Sequence, residues 1–441
     1  MPAARGACPG LSQPMQTGDG LLARLMPSAP VALDDFDALC DASQTLGNGI
    51  VEVTQRGSLQ VRGLSPASAA AFAGTAFTLA VDAEQRPPIL TSPLMGLDAH
   101  AHLDLRSLAA GLRKDLANEP ALASLGPKVS VLIDGGGILH LDEVPGDLRL
   151  QADATRLHVG IAGTGASATA LGWVDPHHAL EVIVHVLGGI ASRGSGARAR
   201  DLANRVDARA LRTSLAGILS DGPRPAPRPR AEPIGSHPLK DGRAAFGVAL
   251  AFGYTEVGAL KRIVRAAARG GATSIQPAPG RALLIVGLAA AATSEFAAAA
   301  AAAGFVVRPD DARRSVVACA GAPACASALL STRQLAPAIA QAAGPLLDGS
   351  LAIHVSGCSK GCAHPGAAAL TLAGPDRLVV QGRAGDTPHG RTSAAEFIAG
   401  LARLNTQRQR APGAQECSAD MVSRLGRIRV LAVMGAEAQH D

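Results

Sequence analysis

The chain has 441 residues, 47% of them hydrophobic and 17% charged. This excludes a largely disordered polypeptide and gives material for about three domains. Aromatic residues make up only 2%, and 41 basic against 36 acidic side chains leave a formal charge of +5. The balance is too mild, and too poor in stacking side chains, for a nucleic-acid binder, but it suits a protein that holds a polyanionic small molecule.

Along the chain, an apolar strand is expected at Leu21 to Leu25, followed by a helix that Asp34 or Asp35 can cap and that buries Phe36, Leu39 and Cys40. Gly57 to Leu64 alternates as a strand, with Ser58, Gln60 and Arg62 on one face and Leu59 and Val61 on the other. Ser65-Pro66 opens a second helix. A second α/β unit starts near Pro87 and includes a strand at Val129 to Ile133. The stretch Gly163 to Ala168 matches a loose dinucleotide pattern but lacks its acidic partner about 20 positions on. Ser220 to His237 is rich in Pro and Arg and reads as a linker. Beyond it the plan repeats, with strands at Ala245 to Phe252 and Leu351 to Val355 and a new unit near Ser315. Thr392 to Glu396 resembles a capping box, and the residues after Thr406 read as a loosely attached tail.

The repetition is internal. Asp19-Gly20 and Asp241-Gly242 lie 222 residues apart, Ala38-Leu39 and Ala259-Leu260 221, Gly63-Leu64 and Gly287-Leu288 224, and Gly135 and Gly357, which close VSVLIDG and LAIHVSG, 222. Four ordered landmarks at nearly constant offset point to a duplication of small α/β sandwiches. The most apolar stretch, Leu283 to Val307, is interrupted by Thr293, Ser294 and Glu295. No apolar run follows Arg5 near the start. Neither a membrane span nor a secretory leader is expected, and the expected location is the cytoplasm.

Seven cysteines are too few for a disulfide framework in a chain of this length. Four of them form pairs after apolar strands: Cys319 and Cys325 with five residues between, Cys358 and Cys362 with three. Thiolates converging from two glycine- and alanine-rich loops suit a [4Fe–4S] cube, with Gly357 and Gly361 giving the backbone close approach. Structural zinc and plain buried thiols are the alternatives, although zinc pairs are usually spaced more tightly. Cys8, Cys40 and Cys417 have no partner in sequence, and Cys40 reads as core.

C-x5-C followed by C-x3-C, HVSGCSKGCAHP and the strand QRGSLQVRG together resemble the sulfite and nitrite reductase family over roughly residues 10 to 400. The resemblance implies a duplicated α/β (α+β) fold. Its parts would be ferredoxin-like units at 10–82 and 238–310, a substrate-binding α/β lobe at 85–219, a linker at 220–237, a [4Fe–4S]-binding lobe at 311–405 and a tail at 406–441. RGACPGLSQPMQTGDGLLARL and GCSKGCAHP are similar to the precorrin-3B synthase branch. Two departures from the reductases agree: Ser359 and Lys360 replace their usual C-P-N-G-C interior, and Lys128-Val129-Ser130 replaces their anion-binding K-x-K.

The branch resemblance implies oxygen-dependent hydroxylation of the tetrapyrrole precorrin-3A and closure of a γ-lactone, giving precorrin-3B for cobalamin biosynthesis. Arg56, Arg62 and Lys128, with Arg24 as a fourth, are the residues expected around the macrocycle's carboxylates. Cys319, Cys325, Cys358 and Cys362 would hold the cluster, with no permanently bound sirohaem. Room is left for an additional non-haem iron, although no facial-triad spacing is visible. His354 and His364 flank the second pair, and a packing role is expected for His354. With no convincing dinucleotide site, electrons are expected from a separate NAD(P)H-linked reductase. Competing readings are a sirohaem-dependent sulfite or nitrite reductase and a non-enzymatic metal scaffold.

Overall fold

The computed structural model describes residues 9–78, 87–408, 410–411 and 414–438. Arg5, Cys8 and the boundary expected between residues 82 and 85 lie outside them. The first antiparallel sheet orders its strands Met15–Thr17, Gly20–Leu25, Leu59–Leu64, Ile50–Val53 and Tyr254–Glu256. The second orders Gly235–Pro238, Ala244–Ala249, Ala282–Leu288, Ser274–Ala278 and Val31–Ala32. Each sheet therefore takes its last strand from the other half of the chain. Tyr254 pairs with Glu52, and Ser274 pairs with Ala32.

This exchange sets where the helices begin. Leu33–Leu46 starts directly after Val31–Ala32, and Val257–Arg269 directly after Tyr254–Glu256, 224 residues later. Asp34 and Asp35 consequently sit inside the first turn, where they favour the helix dipole, and neither caps it. Ser65 behaves as expected, its hydroxyl accepting from the Ser68 N–H at 3.0 Å ahead of Pro66–Thr78. Phe36 and Phe72 of the first half share one core with Ile263, Ile285 and Phe296 of the second.

Each half continues into a larger lobe. The first has a mixed sheet in which Ile89–Thr91, Val131–Asp134 and Gly146–Ala152 run parallel, with Leu157–Gly163 and Thr169–Val174 antiparallel beside them. The second repeats this with Val316–Ala318, Ile353–Ser356 and Ala368–Ala373 parallel and Arg377–Gly382 antiparallel. Gly163 to Ala168 is the turn of a β-hairpin, not a strand-to-helix loop, so it offers no helix N-terminus to a dinucleotide phosphate.

Two expectations are corrected. The Pro/Arg-rich linker is shorter than 220–237, because Gly235–Pro238 already pairs with Ala244–Ala249. The C-terminal tail is not loosely attached. Ser418–Met434 forms a helix, kinked at Gly426, whose Met421, Val422, Val430, Leu431 and Met434 are buried in the core of the second lobe. Ser393 caps the neighbouring helix Ala394–Asn405 by accepting from the Glu396 N–H at 3.1 Å. Among the described residues no helix is long and apolar enough to cross a membrane.

Met421 is 0% exposed and Ile428, on the same helix, 85%. Met421→Ala should cost about 2–5 kcal/mol and Ile428→Ala no more than ~0.5 kcal/mol, read as shifts in thermal unfolding. Equal effects would mean that the helix does not pack as described.

Candidate active site at the cysteine turns

Cys319 and Cys358 follow neighbouring parallel strands, in which Ala318 pairs with Val355. They stand at the carboxyl ends of those strands, where open α/β sheets form ligand crevices. The Gly357 N–H donates to Cys319 Sγ at 3.1 Å and joins the two pairs. Thr332 Oγ1 donates to the Cys319 carbonyl at 2.7 Å, and the Cys325 N–H donates to the Gly321 carbonyl at 2.7 Å. None of the four thiols is in a disulfide. Burial pushes the Cys362 thiol up, and Cys358, Cys319 and Cys325 push it further against the opposing Arg62 charge.

Space at these turns is tightly restricted. A Cβ on Gly357 would stand 2.5 Å from the Ala328 Cβ, and one on Gly18 would stand 2.4 Å from Cys325 Sγ. Gly18 belongs to the first half, and its carbonyl accepts from the Ala326 N–H at 3.0 Å. The turn after Met15–Thr17 is thus part of the cysteine site, which the cysteine spacing alone could not reveal. Among the described residues no three His, Cys, Asp or Glu side chains converge as one chelated ion requires. A cube spreads its four thiolates farther apart than a single zinc, which draws each sulfur to ~2.3 Å. Four thiols, a backbone N–H directed at sulfur and glycine where a side chain would clash fit the cube.

Cys362 also faces a cleft of about 630 Å³ between the two halves. Arg24, Arg56 and Lys128 line it, as do Arg198 and Arg281, which the sequence reading missed. Glu52 is the lone carboxylate among the described residues that line it. Arg56 and Arg281 project from hairpin turns that cross: Arg56 bridges to Pro279, and the Gly280 N–H donates to the Gln55 carbonyl at 3.1 Å. Arg281 adopts φ +62°, and burial pulls its pKa down. The useful sequence signal was the duplication, since an offset of 224 sets Arg56-Gly57 against Gly280-Arg281. Arg198 is forked onto Asp147 at 2.8 and 2.7 Å.

Arg62 requires correction. Its guanidinium is buried and does not line the cleft. It donates to Asp19 at 2.6 and 2.8 Å and reaches Glu52 at 3.4 Å. Burial opposes the Arg62 charge, but Glu52 and Asp19 outweigh it and raise its pKa. Burial likewise opposes the Asp19 carboxylate, and Arg62 holds it below the usual range. Strand alternation puts Arg62 on the face of Gln60, which does line the cleft, but Asp19 captures it one pleat farther along.

Ser130 explains the departure from K-x-K. It is 1% exposed, its N–H donates to Asp147 at 3.0 Å, and its hydroxyl accepts from Arg56 Nη2 at 3.2 Å. A lysine there would displace Arg56. His354 is fully buried, and its rings and those of His364 stand 5.5 Å apart. Burial, then His364 and Arg281, push the His354 pKa down to about 3, so it packs as a neutral ring.

The first lobe repeats the cysteine turns without cysteine. The Gly135 N–H donates to Ser92 Oγ at 3.2 Å, as Gly357 does to Cys319. Ser92 and Asp98, and Gly136 and His140, keep the spacing within each cysteine pair, although 38 positions separate the two pairs here and 33 in the second lobe.

The chain is 37% identical over 437 residues to a precorrin-3B synthase from Sinorhizobium sp., covering 97% of this chain and 94% of that protein. The chain belongs to the precorrin-3B synthase family. It is also 25% identical over 391 residues to a ferredoxin–nitrite reductase from Synechococcus elongatus, covering 80% of this chain and 76% of that one. The NirA protein of Mycobacterium tuberculosis matches with a TM-score of 0.73 at 20% identity, over 93% of this chain and 84% of that chain. This likeness establishes the sulfite and nitrite reductase-like fold. No family model matches the chain.

Arg62→Ala should cost about 3–5 kcal/mol, because it leaves Asp19 buried without its cation. The Asp19 contribution is fully present above the ordinary carboxylate pKa and is lost as pH falls through its lowered value. Acid unfolding of Asp19→Asn should therefore show a shallower pH dependence in that window. An unchanged slope would rule out the ion pair.

Proposed function

We propose that the cleft binds precorrin-3A, and that the protein converts it with O2, two electrons and two protons to precorrin-3B and water in cobalamin biosynthesis. One oxygen atom enters the macrocycle as a hydroxyl, and a ring-A acetate closes the γ-lactone. The observation that carries this reading is the cleft itself. Five cationic side chains from both halves and both kinds of unit surround it, beside Cys362. Its volume of about 630 Å³ lies within the range of small-molecule sites. A macrocycle rich in carboxylates matches guanidinium forks at this density.

Cys319, Cys325, Cys358 and Cys362 would hold the [4Fe–4S] cluster, which supplies one-electron transfer when bound. The chain's own residues bind and orient the substrate. Arg24, Arg56, Lys128 and Arg281 pair with carboxylates, and the apolar walls at Leu90, Phe252 and Val317 take the ring system. Arg62 and Glu52 keep the wall behind Gln60 rigid. The additional iron considered from the sequence finds no three-ligand group among the described residues, and no step is assigned to it. Electrons would come from a separate NAD(P)H-linked reductase. The cytoplasm is the compartment that provides both reduced nicotinamide and reduced thiols.

Anaerobically purified protein should contain about four irons and four labile sulfides per chain. Given reductase, NADH and O2, it should add one oxygen atom to precorrin-3A. Arg56→Ala should weaken precorrin-3A binding by about 1.5–3 kcal/mol, roughly 10- to 150-fold in Kd. Zinc without labile sulfide would remove the cluster, and unchanged affinity in Arg56→Ala would remove the substrate assignment.

A further inference from the structure

The Pro/Arg-rich segment between the halves is not a passive spacer. The Arg228 Nε donates to Asp142 at 2.9 Å, and its Nη2 donates to Asp142 at 2.5 Å and also to Asp134. The next residue's carbonyl, from Pro229, lies 2.7 Å from His140 Nε2, and Arg230 pairs with Glu143 at 3.1 Å. Three consecutive linker residues thus hold the loop that joins Val131–Asp134 to Gly146–Ala152. Asp134 is 1% exposed and also accepts from the Gly136 and Leu141 N–H groups. From beneath, Arg149 donates to the carbonyls of Leu141 and Val144 at 3.3 and 3.2 Å.

The far end of the same loop is Pro145, whose carbonyl accepts from Arg56 Nη2 at 3.1 Å. Arg56 lines both the large cleft and a smaller cavity of about 110 Å³ whose walls include Arg230, Ala231 and Pro233. The linker is therefore the back wall of the compartment that holds Arg56. Without the Arg228 fork, Asp134 and Asp142 would keep only Arg149, 3.6 Å from Asp142, to offset their repulsion across a loop whose geometry sets the Pro145 carbonyl.

We propose that Arg228 is a positioning residue for substrate binding: by locking Asp134 and Asp142 it fixes the Pro145 carbonyl and so aims Arg56 into the cleft. The proposal rests on the substrate reading above, and its test separates the two. Precorrin-3A is titrated anaerobically into the cluster-replete full chain carrying Arg56→Ala, Arg228→Lys, Arg228→Ala or Arg56→Ala with Arg228→Lys. Iron content and circular dichroism serve as checks of integrity. Lysine keeps the charge but cannot fork across two carboxylates, so Arg228→Lys decides the matter if Arg228→Ala does not fold.

Arg228→Lys should raise the Kd about 3- to 10-fold and add nothing in the Arg56→Ala background. In aerobic turnover with reductase and NADH it should raise KM by a similar factor and leave kcat at saturation unchanged. Wild-type affinity in Arg228→Lys, or the same loss in both backgrounds, would overturn the proposal while the substrate reading stands. Unchanged affinity in Arg56→Ala would overturn the substrate reading and this proposal with it.

Discussion

The reciprocal exchange of Val31–Ala32 and Tyr254–Glu256 is the constraint on which the rest of the structure depends. Each is a short edge strand that would leave backbone groups unpaired if it stayed in its own half. Crossing over satisfies those groups and joins the helices of both halves in one core. The exchange also brings the two hairpin turns together, so that Arg56 and Arg281 reach one cleft from opposite halves. The substrate proposed above carries carboxylates around its whole rim and would need cations from several directions, which two halves locked this way would supply.

Duplication gave the protein two frames, which it has filled differently. In the second lobe a sulfur accepts the Gly357 N–H; in the first, the Ser92 hydroxyl accepts the Gly135 N–H. Asp98 accepts from the Ile138 N–H at 2.6 Å, so its carboxylate closes the turn with oxygen chemistry. The linker then packs against that turn through Arg228 and Pro229. One frame is organised around soft thiolates, the other around carboxylates and guanidinium. The cleft opens at the thiolate frame.

Much of this was legible in the sequence. The cysteine spacing, the strand ends and the 222- to 224-residue repeat are local patterns, and each reappears in the structure. Arg24, Arg56 and Lys128, expected around a bound macrocycle, line the cleft, because a basic residue on a strand or beside one has few places to point. Arg62 was misassigned because alternation gives a face but not a neighbour, and Asp19 lies 43 residues away. Arg281 was missed because a left-handed turn carries no periodicity. The helix Ser418–Met434 escaped notice because Gly426 and its neighbouring arginines break the apolar stripe, leaving the buried residues in two short groups. The start of Leu33–Leu46 depended on a strand from the other half, which no local signal encodes.

The central claim is that a cleft beside the cysteine turns takes a tetrapyrrole as substrate and releases it. The absorption spectrum of the cluster-replete protein tests this most directly. A site that turns over must be empty of macrocycle after purification, so the account predicts a broad iron–sulfur absorption without sirohaem bands. Intense porphyrin-like bands from stoichiometric sirohaem would contradict it.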